Sequence, residues 1–191
     1  MAGAGSGMHR SMDDLRSGLA QVMASPKDGG RLEAIVVRPA RDARRDLVSC
    51  RMDISLGAMG DRWGAQFDSP PLPGMPVLDS QLTLMNSRAA SLIAVERSRW
   101  ELAGDQLYVD LDLSEANLKA GDRLRVGDVV LEVTANAHLG CRKFAARFGE
   151  DALAFVNSPE GKRLHLRGIY AKVVSAGEVR RGDPIHKIPR A

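Results

Sequence analysis

The chain has 191 residues and carries 27 Lys and Arg against 24 Asp and Glu, a formal charge of +3, with 44% hydrophobic residues and only 4% aromatics. That length fits one large domain, or a domain with an appended arm, and it can bury a proper core. Two cysteines argue against a disulfide framework, no apolar run is long enough to span a bilayer and no signal-peptide core opens the chain, so a soluble protein of a reducing cytoplasm is expected.

The opening MAGAGSG reads as a flexible leader, and residues 1–10 are expected to be unstructured. Ser11 begins a helical pattern. Its hydroxyl can cap the helix, Asp14 gives a capping-box spacing, and Met12, Leu15, Leu19 and Val22 share one face. Pro26 and Asp28-Gly29-Gly30 end it. Such a helix packs on the body of the protein or pairs with a second subunit as a homodimer, and both remain open.

From Leu32 the chain reads mostly as strands: Leu32 to Val37, stopped by Arg38-Pro39, then a run in which Val48, Cys50, Met52 and Ile54 alternate with Leu47, Ser49, Arg51 and Asp53. Cys50 thus falls on a buried face. Residues 57–79 form a long Gly- and Pro-rich segment, a kind often functional in a compact domain. A short strand from Leu82 to Met85 precedes a helix over Ser87 to Glu96. Leu107, Val109, Leu111 and Leu113 alternate with polar residues as another strand. Leu124 to Val126, Gly127-Asp128 and Val129 to Val133 spell a tight hairpin. Cys141 to Val156 is helical, divided at Gly149. Ile169 to Val174 and Glu178 to Arg180 read as a closing strand pair, with Gly182-Asp183-Pro184 turning into the tail. Many short strands and few helices predict a closed or nearly closed β-barrel.

The segment that speaks to chemistry is Ala137-His138-Leu139-Gly140-Cys141-Arg142-Lys143-Phe144. A lone cysteine is more commonly a small buried hydrophobe. Here the thiol follows a His and a Gly, leads into a helix and has Arg142, Lys143 and Arg147 nearby, and cations stabilise the reactive thiolate. His138 and Cys141 have a zinc-like spacing, but no second ligand pair follows: Cys50 reads as buried and His165 as a strand residue. A Cys/His hydrolase is conceivable, although catalytic partners are usually distant in sequence. Gly60-Asp61-Arg62-Trp63 is either a solvated turn or a sharp bend that presents Arg62 to an anion with Asp61 fixing the loop. Arg38-Pro39-Ala40-Arg41 likewise sends two cations off a strand end, and guanidinium forks suit phosphate. The net charge suits an anionic small molecule as well as a nucleic acid.

Together these pieces resemble the MOSC domain, named for the C-terminal domain of molybdenum cofactor sulfurases. The landmarks are VVRPAR (36–41), GDRW (60–63), QLTLMN (81–86), GDQLYVDLDLS (104–114), GDRLRVGDVVLEVT (121–134), HLGCRKF (138–144) and RGIYAKVVSAGEVRRGDPI (167–185), in the expected order. The resemblance implies a mainly β, α+β fold: a MOSC-type barrel at residues 31–185 with a few short helices, an N-terminal leader and helix at 1–30, and a tail at 186–191.

It also implies binding of the molybdenum–pterin cofactor (molybdopterin type), or sulfur handling for it. Cys141 matches the family's functional cysteine, which ligates the metal in molybdenum reductases and carries a persulfide in sulfur-handling members. Arg41 falls where the family tends to put a cation near the cofactor's phosphate, Arg62 belongs to the loop that closes over it, and Asn86 and Tyr170 lie where pterin contacts are expected. For Tyr170, packing as a strand aromatic stays equally open. His138 and Lys143, beside the thiol, complete the cofactor-binding candidates. Gln106 and Trp63 stand where many relatives have Asn or His. There is no pyridoxal-phosphate desulfurase domain, and the chain looks like the compact, stand-alone bacterial type.

Three functions follow. The leading one is two-electron reduction of N-hydroxylated or related small molecules, fed by an external electron-transfer protein. The second is a persulfide carrier served by a separate cysteine desulfurase. The third is a non-catalytic module that holds an anionic ligand or partner. No nucleic-acid or membrane partner is expected.

Overall fold

The computed structural model describes residues 9–63 and 77–190. The expected leader at residues 1–7 and most of the Gly- and Pro-rich segment lie outside the described residues. His9 already packs beside Gly149.

In chain order the elements are α1 (Met12–Met23), β1 (Gly30–Val37), β2 (Arg45–Leu47), β3 (Ser49–Asp53), β4 (Gly57–Ala58), a 3-10 turn (Val77–Ser80), β5 (Leu82–Asn86) and α2 (Ser87–Ala94). A second 3-10 stretch (Arg97–Ala103) leads to β6 (Leu107–Asp110), β7 (Arg123–Val126) and β8 (Val129–Val133). Three short helices follow, α3 (Arg142–Phe148), α4 (Glu150–Asn157) and α5 (Pro159–Arg163), then β9 (Ile169–Ser175), β10 (Gly177–Arg180) and β11 (Pro184–Ile188).

The large sheet runs β11-β7-β8-β9-β5-β6-β1-β2, and β11 also pairs with β1. Seven strands therefore close into a barrel, with β2 as an added edge on β1. All pairings in the barrel are antiparallel except β5 with β6. A smaller sheet, β10-β3-β4, sits beside it, with Cys50 opposite Val179. Among the described residues no helix is long and apolar enough to cross a membrane.

Side-chain direction explains the layering. Leu32, Ile35, Leu84, Leu107, Val109, Leu131 and Ile169 fill the barrel. Ala34, Val36, Met85 and Tyr108, on the same strands, face outward and are covered by the helices. A register shift between Leu32 and Ala34 lets β1 serve both faces. Strands buried on both sides do not show a clean polar alternation. Tyr108, expected on a polar face, is accordingly fully buried, with its hydroxyl donating to the Trp100 carbonyl.

Local signals behave as their chemistry demands. Ser11 and Asp14 form both bonds of the capping box, and α1 buries Leu15, Leu19 and Val22 against α2 and α4. Val126 pairs directly with Val129 across the Gly127-Asp128 turn. Gly149 (φ +92°) breaks the long helical pattern into α3 and α4.

Other readings need correcting. The predicted strand at 47–54 is broken at Val48, whose side chain is exposed, as is that of Ile54. The two strands at 169–180 do not pair with each other: β9 joins the barrel and β10 the small sheet. The stretch after Gly182-Asp183 is no tail but β11, the closing strand. His165 lies after α5 with φ +48°, outside any strand.

Candidate functional site

At one end of the barrel, β1 and β2 are joined by a loop, residues 38–44, that leans over a cleft of about 410 Å³. That volume is in the range of small-molecule sites, about 300–1,000 Å³. Seven cations line it, among them Arg41, Arg62 and Lys143, and Asp42 is the only acid among the described lining residues. This preponderance creates a strongly positive cleft in which field lines concentrate.

The rim is held by a buried acid. Gly60 (φ +88°) turns the chain so that Asp61 reaches back to Arg38, accepting from its backbone N–H at 2.8 Å, Nε at 2.9 Å and Nη2 at 3.0 Å. Asp61 also accepts from the Trp63 N–H at 2.9 Å, and the Arg62 N–H donates to the Arg38 carbonyl at 3.0 Å. The Asp61 side chain is fully buried. Asp61 thus ties the loop that carries Arg62 to the end of β1.

The floor is a second buried polar cluster. Arg167 donates to Asp105 Oδ2 at 2.6 Å and to the Ala103 carbonyl at 2.7 Å, and its guanidinium lies over the Phe144 ring. The other Asp105 oxygen is 3.6 Å from His138 Nδ1. Burial, reinforced by the Arg167 charge, holds the His138 imidazole down at about 3. The ring is therefore neutral near pH 7, and its contact with Asp105 is not an ion pair. His138 packs against Tyr170 with ring centroids 4.6 Å apart. Burial raises the Tyr170 hydroxyl, which stays protonated. Asp105 Oδ1, His138 Nδ1 and Arg167 Nε are buried with no hydrogen-bond partner.

Cys141 stands where the loop after β8 enters α3, and its side chain is exposed to the cleft. Asn157, at the end of α4, clamps the preceding residue: Gly140 N–H donates to its Oδ1 at 2.9 Å and its Nδ2 donates to the Gly140 carbonyl at 3.0 Å. Cys50 is buried in the small sheet, and burial pushes its thiol up.

Of the residues singled out in the sequence, Cys141, Arg41, Arg62, His138, Lys143 and Tyr170 line this one cleft. Asn86 does not. It is buried on the far side of β5, where its Oδ1 caps α2 through the Arg88 and Ala89 N–H groups. Its Nδ2 donates to Ser25 Oγ and the Leu111 carbonyl, so no donor is left for a ligand. Gln106 is structural as well, its Oε1 accepting from Thr83 N–H and Oγ1. Sequence reasoning missed Asp105, Arg167, Arg44 and Asn157. Asp105 and Arg167 had one available signal: charged residues inside otherwise apolar strand flanks, which must be paired if buried.

Among the described residues no group of three His, Cys, Asp or Glu is placed to hold a metal ion.

Among solved structures, the YuaD protein of Bacillus subtilis matches 85% of this chain and 97% of its own at 18% identity, with a TM-score of 0.60. YiiM of Escherichia coli matches 84% of this chain and 71% of its own at 20% identity, with a TM-score of 0.54. YiiM of Geobacillus stearothermophilus gives 15% identity and the same TM-score of 0.54, over 84% of this chain and 76% of its own. These likenesses are of fold. Comparison with curated proteins gave no match. The MOSC domain matches residues 78–186, more than half of the sequence and including the cleft's floor and its cysteine. The chain belongs to the MOSC domain family.

Proposed function

We propose that the cleft binds a molybdenum–pterin cofactor and reduces N-hydroxylated or related small molecules. The observation that carries this reading is one exposed cysteine in a cleft whose described lining residues include seven cations and a single acid. A soft thiolate suits a thiophilic metal, and guanidinium forks suit a phosphate. The absence of a three-residue metal cluster among the described residues agrees with a metal that arrives already ligated. The orphaned polar atoms of His138 and Arg167, both of which line the cleft, leave hydrogen-bonding capacity in the floor for a polar ring system.

Cys141 would supply the protein's ligand to the metal, with Arg41 and Arg62 at the phosphate end. When bound, the cofactor supplies a centre that exchanges two electrons. The reaction R–NHOH + 2e⁻ + 2H⁺ → R–NH₂ + H₂O then needs an external electron-transfer protein and a proton supply. His138, neutral, and Tyr170, protonated, face the cleft as an acceptor and a donor of hydrogen bonds that hold substrate.

Expression in a cofactor-producing host followed by metal analysis tests this. About one molybdenum per chain, lost in Cys141→Ser, is expected. A chain that stays empty on reconstitution, with Cys141→Ser behaving like wild type, overturns it.

The exposure of Cys141 also favours a second reading, a persulfide carrier. The Cys141 thiolate would attack the terminal sulfur of a desulfurase persulfide, forming a new S–S bond as the donor's S–S bond breaks and its thiolate leaves. Mass spectrometry of the Cys141 peptide should then show one added sulfur, and its absence after incubation with desulfurase and cysteine rejects this reading. Both readings place the protein in a reducing cytoplasm.

A further inference from the structure

Three polar groups stand in line beneath the cleft. Arg167 Nη1 donates to Asp105 Oδ2 at 2.6 Å, and the other Asp105 oxygen lies 3.6 Å from His138 Nδ1. The Asp105 side chain is fully buried and that of His138 is 9% exposed. Asp105 Oδ1 and His138 Nδ1 are both buried and without a hydrogen-bond partner, so each orphan has the other as a polar neighbour. His138 nevertheless lines the cleft. With Nδ1 enclosed beside Asp105, the ring edge that reaches the cleft is the one that carries Nε2.

A neutral imidazole carries one N–H, on either nitrogen, and the free side chain in water favours Nε2. Here that form sets the Nδ1 lone pair against a buried carboxylate oxygen, a repulsion strengthened by the low local dielectric. With the proton on Nδ1 a donor faces the carboxylate instead. The 3.6 Å separation is beyond a normal hydrogen bond, but the N–H dipole and the carboxylate charge still attract. Nε2 is then left with a lone pair and no proton. The cations that line the cleft disfavour an ammonium ligand there, so the donor that suits Nε2 is a neutral N–H or O–H.

We propose that Asp105 is a positioning residue that holds His138 in the Nδ1–H form, and that Nε2 thereby selects ligands presenting a neutral N–H or O–H donor. Hydroxylamine-type groups carry such donors, and their N- and O-alkylated counterparts do not. Arg167 serves the same end: its bond fixes the carboxylate, and its charge opposes protonation of the imidazole. The proposal rests on the reading of this cleft as a ligand site and adds what the ligand must present; it does not depend on molybdenum.

Nitrogen NMR of the labelled, metal-free chain near neutral pH, with His138→Gln to assign the signals, reads the proton's place directly. A pyrrole-type Nδ1 and a pyridine-type Nε2 are expected, and the reverse overturns the proposal. In Asp105→Asn combined with Arg167→Met the two forms should mix; an unmixed Nδ1–H form there removes Asp105 from its role. The wild-type spectrum and the titration that follows stand without that variant if it does not fold. Phenylhydroxylamine, added under argon, should move the Nε2 signal saturably toward the pyrrole range. It should bind about tenfold or more tightly than its N,O-dimethyl derivative, and His138→Phe should erase that preference. An Nε2 signal that does not move, or a preference that survives in His138→Phe, overturns the proposal. A chain that loads molybdenum but keeps its proton on Nε2 defeats the proposal and leaves the proposed function standing. A chain that never loads metal yet shows the free Nε2 and the preference upholds the proposal while the molybdenum reading fails.

Discussion

Asn157 and Gly140 exchange two hydrogen bonds, side-chain amide against backbone amide, and so fix the residue immediately before Cys141. Gly140 also packs so close to α4 that an added Cβ would sit 2.8 Å from Leu153 Cδ1. The thiol's position is thus set by a helix that follows it in the chain. Asn157→Ala should destabilise the protein by about 1–3 kcal/mol, because two backbone groups lose their partner. It should also speed release of any ligand held at Cys141. Denaturant unfolding together with a dissociation-rate measurement checks both.

The Arg167–Asp105 pair should be costly to break and much less costly to replace. Asp105→Asn leaves a buried guanidinium without its carboxylate, an expected loss of about 3–5 kcal/mol. Each kcal/mol lowers Tm by roughly 2–4 °C in a chain of this size. Asp105→Asn combined with Arg167→Met should recover a large part of that loss, as a double-mutant cycle will show. Ligand binding should not recover with it.

His138 predicts a pH dependence of definite sign. Above its ordinary value of 6.5 the imidazole is neutral both folded and unfolded, and adds no slope. Between 6.5 and about 3 the unfolded chain takes up a proton that the folded chain excludes. Stability therefore falls as pH drops through that window, by up to about 1.4 kcal/mol per unit. His138→Gln should show a shallower decline than wild type over the same interval, whatever the shared carboxylates contribute. Parallel curves from chemical denaturation at several pH values would contradict this.

The two thiols should separate by kinetics. Cys141 is exposed, and Cys50 is 5% exposed with its thiol pushed up by burial. A disulfide reagent should modify one thiol per folded chain rapidly and the second only on unfolding. Cys141→Ser should abolish the fast phase. A Cys141 that labels slowly would support the non-catalytic binding module instead.

What could be read in the sequence is what local chemistry decides. The Ser11–Asp14 capping box, the Gly127-Asp128 hairpin and the split at Gly149 each depend on neighbours within a few residues, and each is present. The MOSC landmarks placed the barrel and drew attention to Cys141. What could not be read depends on distant pairing. Nothing near Asp105 announces Arg167, 62 residues later. Asn86 looked like a ligand contact because it ends a strand, yet the end of a strand is also where a helix is capped. Tyr108 and its neighbours escaped the alternation rule because helices cover the outside of their strands.

Closure of the barrel rests on β11, which pairs with β7 along its length and with β1 at Gly30 and Arg31. Those partners are separated by about 150 residues of chain, so this seam is a contact of very high sequence separation. During synthesis the free edges of β1 and β7 must wait unpaired until residues 184–188 have left the ribosome. The nascent chain is then an open, edge-bearing sheet, exposed to aggregation until β11 arrives.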